Sequence, residues 1–293
     1  MNHLPISGVY CAAVTPVTAD LAPDHAAFVA HGRYLLEEGC DGVALLGTTG
    51  EANSFSTHER KALLEAVVAA DIPADRLLPG TGVAALTETV ELTRHALSLG
   101  VTRVVMLPPF YYKGITDEGL FASYAAIVDR VADARLRVVL YHIPQFSAVP
   151  ITVPVIERLR AHFPGVFIGL KDSSGDFANM QALIQHFTGF SVLAGADPLM
   201  LPLLKQGGAG CITATSNLVA RDLAFIFHHH AEPAHAREVE AAQERVVAAR
   251  NRVSRFAQIA SIKALVARNT GHAAWCNLRP PLSKLTEAET AQV

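Results

Sequence analysis

Lys171 is the residue whose position in this chain most favours covalent chemistry. It ends an apolar run of strand length, Val166–Leu170, and a turn rich in Ser, Gly and Asp follows it. This order places the lysine at the carboxyl end of a buried strand, where reactive side chains gather in parallel α/β proteins. Desolvation disfavours an ammonium group, and a neutral amine is a nucleophile that attacks carbonyl carbons. The alternative is a structural lysine whose charge is paired with Asp172.

A segment rich in Gly and Thr follows the second predicted strand. In Gly47-Thr48-Thr49-Gly50-Glu51, two hydroxyls and several backbone N–H groups could converge on an anion, as they do in an anion-binding nest. The anion would be a carboxylate or a phosphate. An ordinary Gly-rich turn before the next helix is the alternative interpretation.

Tyrosines also lie at the carboxyl ends of the fourth and fifth predicted strands. Tyr141 stands 30 residues before Lys171, so it would lie on the neighbouring strand and project into the same mouth. A phenol there could shuttle protons for Schiff-base chemistry, although a core tyrosine with a satisfied hydroxyl would show the same pattern. The segment Pro108–Gly114 adds Tyr111 and Tyr112, whose rings could instead pack at a subunit interface.

Composition narrows the class of protein. With 293 residues, 51% of them hydrophobic and 17% charged, the chain can bury a large core. A net charge of −3 indicates neither a nucleic-acid-binding face nor a polybasic membrane patch. No apolar run approaches the roughly 20 residues of a spanning helix, and residues 1–7 do not resemble a signal peptide. We therefore expect a cytoplasmic protein with neither nucleic acid nor membrane as a partner.

Neither metal sites nor disulfides are predicted. The histidines of His228-His229-His230 are adjacent, and adjacent residues on a helix point in different directions. The cysteines are far apart and form no CxxC pair, which is typical of buried free thiols; they are Cys11, Cys40, Cys211 and Cys276. The sequence thus indicates no metal and no other cofactor.

Short apolar runs alternate with amphipathic stretches over residues 1–230. The predicted strands are Gly8–Thr15, Gly42–Gly47, Leu77–Gly82, Arg103–Leu107, Arg137–His142, Phe167–Lys171, Phe190–Ala194 and Gly210–Thr213. The predicted helices are His25–Glu38, Thr57–Ala70, Leu86–Leu99, Asp117–Val131, Thr152–His162, Asp176–His186, Asp197–Lys205 and Ala220–His230. Eight such units match the TIM (β/α)8 barrel in number and size. A doubly wound sheet is the competing topology, but no Gly-rich dinucleotide fingerprint follows the first strand.

The segment 231–293 has a different character. Glu232–Ala257 is rich in Ala, Glu and Arg with helical periodicity, Ile259–Arg268 predicts a second helix, and Arg279–Leu282 breaks the chain before a last short helix. We predict two units: a barrel over 1–230 that carries the active site, and a helical appendage of about three helices over 231–293.

Three motifs together resemble one family. Gly47–Glu51, Tyr141-His142-Ile143-Pro144 and Gly169–Ser173 occur in the order and spacing of the dihydrodipicolinate synthase / N-acetylneuraminate lyase family of Schiff-base (class I) aldolases. The resemblance covers essentially the whole chain, and three motifs in order are far more specific than any one of them.

The resemblance implies a role for each motif. Lys171 would form the iminium with pyruvate or another 2-oxo acid. Tyr141 would be the proton shuttle, with Thr48 relaying to it. Gly47, Thr48 and Thr49 would hold the carboxylate of pyruvate. An iminium conjugated to the substrate is a fixed positive charge that stabilises the carbanion or enamine formed when the adjacent C–C bond breaks.

Two further roles are implied by the resemblance alone. Ile212 matches a residue that lines the pyruvate pocket, where only its shape matters. Tyr111 matches a relay tyrosine contributed by a neighbouring subunit across a tight dimer, with Tyr112 as the alternative because the alignment shifts by one position there. The family therefore implies a homo-oligomer, either a dimer or a tetramer.

One position departs from the family pattern. Synthases that condense pyruvate with aspartate semialdehyde carry an arginine two residues after the proline of the Tyr-x-x-Pro motif, and here that position is Phe146. An apolar ring cannot form a bidentate clamp on a carboxylate. His142 stands where asparagine is usual, and we expect it to reshape the substrate side of the pocket.

We therefore predict a class I lyase or aldolase that makes or breaks a C–C bond next to a pyruvate unit. Its substrates would be a 2-oxo acid and an aldehyde, or a 2-keto-3-deoxy-sugar acid. The alternatives are 4-hydroxy-tetrahydrodipicolinate synthase, a 2-keto-3-deoxy acid dehydratase, and a binding protein for 2-oxo acids that does not turn them over.

Overall fold

Seven parallel strands form the centre of the molecule in a computed structural model that describes residues 5–293. Their lateral order is β2-β1-β7-β6-β5-β4-β3, and every neighbouring pair is parallel. The strands are β1 Gly8–Ala12, β2 Gly42–Ala44, β3 Arg103–Met106, β4 Arg137–His142, β5 Phe167–Asp172, β6 Ser191–Ala194 and β7 Gly210–Thr213.

The gap between β2 and β3 is bridged by the segment Leu77–Gly82, for which the sequence predicts a strand. Only isolated bridges form there, Val43 to Leu77 and Gly80 to Val105. The Val105 N–H donates to the Pro79 carbonyl at 2.9 Å, but Pro79 has no N–H of its own to continue a ladder. The sheet is thus a nearly closed seven-strand barrel, consistent with the predicted TIM barrel, and the prediction of eight regular strands is wrong at this segment.

Helices alternate with the strands. They are α1 His25–Glu37, α2 Thr57–Ala69, α3 Leu86–Ser98, α4 Asp117–Val131, α5 Pro144–Ser147, α6 Val153–His162, α7 Phe177–His186, α8 Met200–Leu204, α9 Ser216–His229, α10 Ala236–Val253, α11 Gln258–Thr270 and α12 Glu287–Thr290. None of those formed by residues 5–293 combines the length and the apolar character that crossing a membrane would require.

Helix α9 differs from its prediction at its start. It begins at Ser216 rather than Ala220, and Val219 inside it has non-helical φ/ψ of −130° and 34°. The kink at Val219 lies just before Ala220, where the helical periodicity of apolar residues begins. The turn before the kink was not predicted, because its apolar residues do not continue that periodicity.

Alternation along the strands separates two apolar layers. Inward-facing side chains such as Tyr10, Val139 and Ile212 pack together inside the barrel. The intervening residues, such as Val138 and Leu140, pack in a larger layer between the barrel and its helices. This period of two decides which side chains of β4 and β5 can reach the mouth of the barrel.

The chain returns to the mouth of the barrel after α9. Helix α10 packs along α9, and α11 also contacts α9. Residues of the α10–α11 connection line the same cavity as residues of β4 and β5. The division of the chain near residue 230 into barrel and appendage stays a prediction.

Candidate active site

Lys171 and Tyr141 lie side by side on β5 and β4. They are register partners in the parallel pair, as their spacing in the sequence predicts. The Lys171 Nζ lies 4.1 Å from the centroid of the Tyr141 ring, and only 6% of the lysine is exposed. The amine is therefore held against an aromatic face at the carboxyl end of the barrel strands.

The ion pair between Lys171 and Asp172 does not form. Asp172 is fully buried on the other face of β5, where Oδ1 accepts from the Ser174 N–H at 2.8 Å and Oδ2 accepts from the Asn179 side-chain amide at 2.7 Å. Within residues 5–293, Lys171 lies in no ion pair with a carboxylate. The interpretation of Lys171 as a structural lysine paired with Asp172 is therefore wrong.

The hydroxyl of Tyr141 lies 3.4 Å from Thr48 Oγ1. Burial raises the pKa of this phenol, but the charge of Lys171 and hydrogen bonding with Thr48, Ser173 and Lys171 outweigh burial, so its pKa falls below the ordinary value. A phenol with a lowered pKa exchanges protons more readily near neutral pH. Thr48, Tyr141 and Lys171 thus form one connected group.

The Gly47–Glu51 turn is anchored from beneath by a buried ion pair. Glu51 Oε1 lies 2.5 Å from Lys263 Nζ of α11, and neither side chain is exposed. Lys263 also donates to the Thr15 carbonyl at 2.8 Å. Burial lowers the pKa of Lys263, while the Glu51 carboxylate opposes that change. The pair fixes the turn that carries Thr48 and Thr49.

Sequence reasoning missed Lys263, which is 212 residues from Glu51. The signal was a lysine inside the apolar run Ala260–Ala267, where a charge requires a partner. Spacing alone could not identify that partner.

A cavity of about 420 Å³ opens above Lys171. Thr48, Thr49 and Tyr141 line it together with the lysine, so the predicted reactive group faces one common space. Phe146 also lines the cavity and is 70% exposed, which places an apolar ring at its rim.

Two polar residues of the cavity come from the C-terminal helices. Arg250 of α10 lines it and reaches Asp197 Oδ2 with Nη1 at 3.5 Å. Gln258, the first residue of α11, lines it as well. Neither residue is predicted from the sequence, because no local motif marks them.

Gly47 and Ile212 do not line this cavity. Gly47 lines a small adjoining space with Thr48 and Tyr141. Ile212 is 1% exposed and packs inside the barrel with the cluster that includes Tyr141. Ile212 contributes to the floor on which the site rests, and it is not one of the side chains that line the larger cavity.

Tyr111 and Tyr112 lie apart from Lys171 within one chain. They are 73% and 74% exposed, and their rings meet edge to face with centroids 5.3 Å apart. Neither lines the cavity above Lys171. This placement leaves both rings available to another subunit.

The expectation for His142 is wrong. Its neighbour Tyr141 points into the barrel, so His142 points to the other face of β4, where Nδ1 accepts from the Ile151 N–H at 3.1 Å. It does not line the cavity. Burial lowers the pKa of His142, although Asp172 and Asp176 oppose that shift. Its effect on the substrate can only be indirect.

The side chains of His228, His229 and His230 point in different directions, as expected, but His229 lies beside two residues from outside the run. His229, Glu232 and His235 have ligand atoms within 4.8 Å of one another, an arrangement that could hold a divalent cation. His230 instead directs Nδ1 to the Phe227 carbonyl at 2.8 Å. The partners stand three and six residues beyond His229, so the run itself gave no signal of them.

All four cysteines are free thiols, as predicted, but Cys276 is half-buried rather than buried. Cys11, Cys40 and Cys211 are buried, and burial raises the pKa of the Cys40 thiol to about 12. A thiol with so high a pKa is a poor nucleophile near neutral pH.

Comparisons with known proteins give one consistent answer. The model of the dihydrodipicolinate synthetase family matches residues 5–293. A protein of Chloroflexus aurantiacus called an uncharacterized DapA-like lyase is 38% identical over 289 residues, which are 97% of this chain and 93% of that one.

Solved structures agree with that match. The crystal structure of dihydrodipicolinate synthase from Agrobacterium tumefaciens superposes with a TM-score of 0.86 at 30% identity, covering 97% of this chain and 96% of the other. YagE, a prophage protein of E. coli K12 from the dihydrodipicolinic acid synthase family, was solved in complex with pyruvate. It gives a TM-score of 0.88 at 25% identity, with coverage of 98% and 95%. The chain therefore belongs to the dihydrodipicolinate synthetase family, whose members are lyases or aldolases that act through a Schiff base.

Proposed function

We propose that Lys171 forms a Schiff base with pyruvate or another 2-oxo acid, and that the enzyme makes or breaks the adjacent C–C bond of a 2-keto-3-deoxy-sugar acid. The observation that supports this assignment most directly is the position of Lys171, which faces the cavity, contacts the Tyr141 ring and pairs with no carboxylate among residues 5–293.

The chemistry follows from the side chains in reach. The amine of Lys171 attacks the C2 carbonyl, and the carbinolamine loses its oxygen as water to leave an iminium. Tyr141 supplies the proton that this step requires, and Thr48, 3.4 Å away, relays protons to it. The C4 hydroxyl then gives its proton to the Tyr141 phenolate as the C3–C4 bond breaks, C4 leaves as an aldehyde, and the iminium accepts the electron pair of that bond and becomes an enamine. Protonation of the enamine at C3 and attack of water on the iminium so formed release pyruvate and the free Lys171 amine.

The 2-oxo acid is oriented by its carboxylate. Gly47, Thr48 and Thr49 lie on the turn that Glu51 and Lys263 anchor, and the two hydroxyls line the cavity beside Lys171. A carboxylate bound there would direct C2 towards the amine. Fixing both groups on rigid backbone lowers the entropy lost on reaching the transition state.

Phe146 favours an aldolase of sugar acids over the condensation with aspartate semialdehyde. Its exposed ring occupies the rim position where those synthases carry a carboxylate-binding arginine. The synthase activity remains the second candidate because a solved relative bears that name.

The proposal is tested by pyruvate release from 2-keto-3-deoxygluconate and from its 6-phosphate, followed with lactate dehydrogenase. We expect turnover by the wild type and none by Lys171→Ala, while Lys205→Ala, which changes an exposed lysine outside the cavity, keeps the wild-type rate. A Lys171→Ala variant as fast as the wild type would refute the mechanism. Product formation only from pyruvate and aspartate semialdehyde would favour the synthase.

A further inference from the structure

We propose that Arg250 and Gln258 form a second anion-binding subsite in the cavity above Lys171, so that the substrate carries an acidic group at the end remote from its 2-oxo acid. The acidic group is a carboxylate or a phosphate, and a subsite for a carboxylate would also serve aspartate semialdehyde, the acceptor of the second candidate function. The inference rests on the proposed function, since it names the substrate class of that same site.

The charge in the cavity is the first argument. Lys171 and Arg250 line the cavity, and no Asp or Glu among residues 5–293 does. Once the 2-oxo acid is bound, its carboxylate balances the iminium on Lys171. Arg250 then has the buried Asp197 as its counter-ion, at 3.5 Å, and none inside the cavity, where a partly buried cation favours an anion.

The guanidinium of Arg250 is oriented by one contact and keeps N–H donors that are not used. Nη1 lies 3.5 Å from Asp197 Oδ2, the long limit of a hydrogen bond. Asp197 is fully buried, and its contact orients the guanidinium of Arg250. Arginine has five N–H donors, and within the described chain the others meet no acceptor. A planar group with free donors suits two oxygens of a carboxylate or phosphate.

Gln258 supplies an independent observation. Its Nε2 is buried and has no hydrogen-bond acceptor within residues 5–293, although the residue lines the cavity. A buried donor without a partner costs free energy unless a ligand supplies the acceptor. Gln258 also starts α11, whose N-terminus has no side-chain cap, so the positive end of this 13-residue helix meets the same cavity.

A structural explanation of Arg250 is that it only neutralises the buried Asp197. That role predicts that loss of the arginine affects every substrate alike through stability. The subsite predicts a loss confined to substrates with the remote acidic group. Selectivity between matched substrates therefore separates the two.

The experiment uses aldehydes as acceptors for pyruvate, in two pairs that differ in the acidic group. D-glyceraldehyde 3-phosphate is compared with D-glyceraldehyde, and succinic semialdehyde with butanal, which tests phosphate and carboxylate separately. We expect Arg250→Gln to lower kcat/KM about 10- to 100-fold for at least one acidic acceptor, because a hydrogen bond to a charged group is lost. The neutral partner of that pair should change less than about threefold.

Arg245→Gln is the matched control. Arg245 lies on the same helix and pairs with Asp222 at 2.6 Å outside the cavity, so its loss should change neither member of a pair selectively. If Arg250→Gln fails to fold, Asp197→Asn/Arg250→Gln removes both charges and leaves no unpaired buried carboxylate.

Equal losses for acidic and neutral acceptors in these variants would overturn the subsite, as would a wild type that reacts with the neutral acceptors as fast as with the acidic ones. Either result leaves the proposed function intact. A wild type that forms no adduct with any 2-oxo acid would overturn the proposed function, and the subsite with it.

Discussion

At the scale of single residues, the contact between Lys171 and Tyr141 sets the properties of both side chains. The amine lies 4.1 Å from the ring centroid, and the same charge helps to lower the pKa of the phenol. In the proposed mechanism the nucleophile and the proton carrier depend on each other: when the amine is converted to an iminium, a positive charge stays beside the phenol. Tyr141 can therefore lose and regain a proton through the reaction cycle.

Tyr141→Phe should slow turnover by about 10²-fold or more, because it removes the hydroxyl while leaving the ring that Lys171 contacts. Steady-state kinetics on pyruvate release measures this. Tyr34→Phe, which changes a tyrosine of α1 that does not line the cavity, should have no such effect. An unchanged kcat in Tyr141→Phe would mean that another group carries the proton.

The sequence was informative at residues whose position is set by the strand they lie on, close to its carboxyl end. Lys171 and Tyr141 were predicted because both end an apolar run, and the parallel register brings their side chains together. The family pattern predicts His142 on the substrate side of the pocket. Side chains alternate along β4, however, and since Tyr141 points into the barrel, His142 points outward. Arg250 was missed because the α10–α11 connection reaches the cavity only through tertiary packing.

At the scale of elements, the Gly47–Glu51 turn and α11 behave as one unit. Glu51 Oε2 accepts from the Arg279 N–H at 3.3 Å, and Oε1 pairs with Lys263, so three distant parts of the chain meet under the turn. A buried pair is costly to break, because the remaining charge is left without a partner. The turn therefore owes its position to a helix far along the chain.

Lys263→Met should lower the free energy of unfolding by about 3–5 kcal/mol, since it leaves the Glu51 carboxylate buried and unpaired. Urea unfolding followed by circular dichroism measures the loss. Glu51→Gln/Lys263→Met removes both charges and should recover much of it. A single variant within about 1 kcal/mol of the wild type would show that the pair does not anchor the turn.

Helices and strands were predicted correctly where the apolar periodicity is regular. They were predicted wrongly where a proline or a 3₁₀ turn interrupts the regular backbone. Leu77–Gly82 is extended and hydrogen-bonds to both neighbours, but Pro79 prevents a continuous ladder. Helix α8 is shorter than its prediction because Asp197–Leu199 forms a separate 3₁₀ turn. Neither difference changes the order of the barrel units.

At the scale of the whole molecule, Tyr111 is the residue whose proposed role requires another subunit. Its ring is largely exposed beside Tyr112, and neither ring lines the cavity of its own chain. We propose a dimer or tetramer in which Tyr111 completes the site of a neighbour. This arrangement makes activity depend on association, which light scattering across a dilution series can follow.

Mixing two inactive variants tests the exchange of Tyr111. In a mixed dimer of Lys171→Ala and Tyr111→Phe subunits, the second subunit keeps its lysine and receives an intact Tyr111 from the first. Co-expression should restore up to about one quarter of wild-type activity, since about half of the dimers are mixed and each contains one complete site. Tyr112→Phe in place of Tyr111→Phe examines the neighbouring ring. No recovery with either, or an active monomer, would contradict the shared site.

The most direct measurement is the intact mass of the protein after incubation with pyruvate and then borohydride, for the wild type, Lys171→Ala and Lys205→Ala. Reduction of a Schiff base fixes one pyruvate, less its keto oxygen, to the lysine nitrogen. We expect the adduct in the wild type and in Lys205→Ala and its absence in Lys171→Ala. An adduct that persists in Lys171→Ala, or a wild type that forms none with pyruvate or with longer 2-oxo acids, would contradict the assignment of Lys171 as the Schiff-base residue.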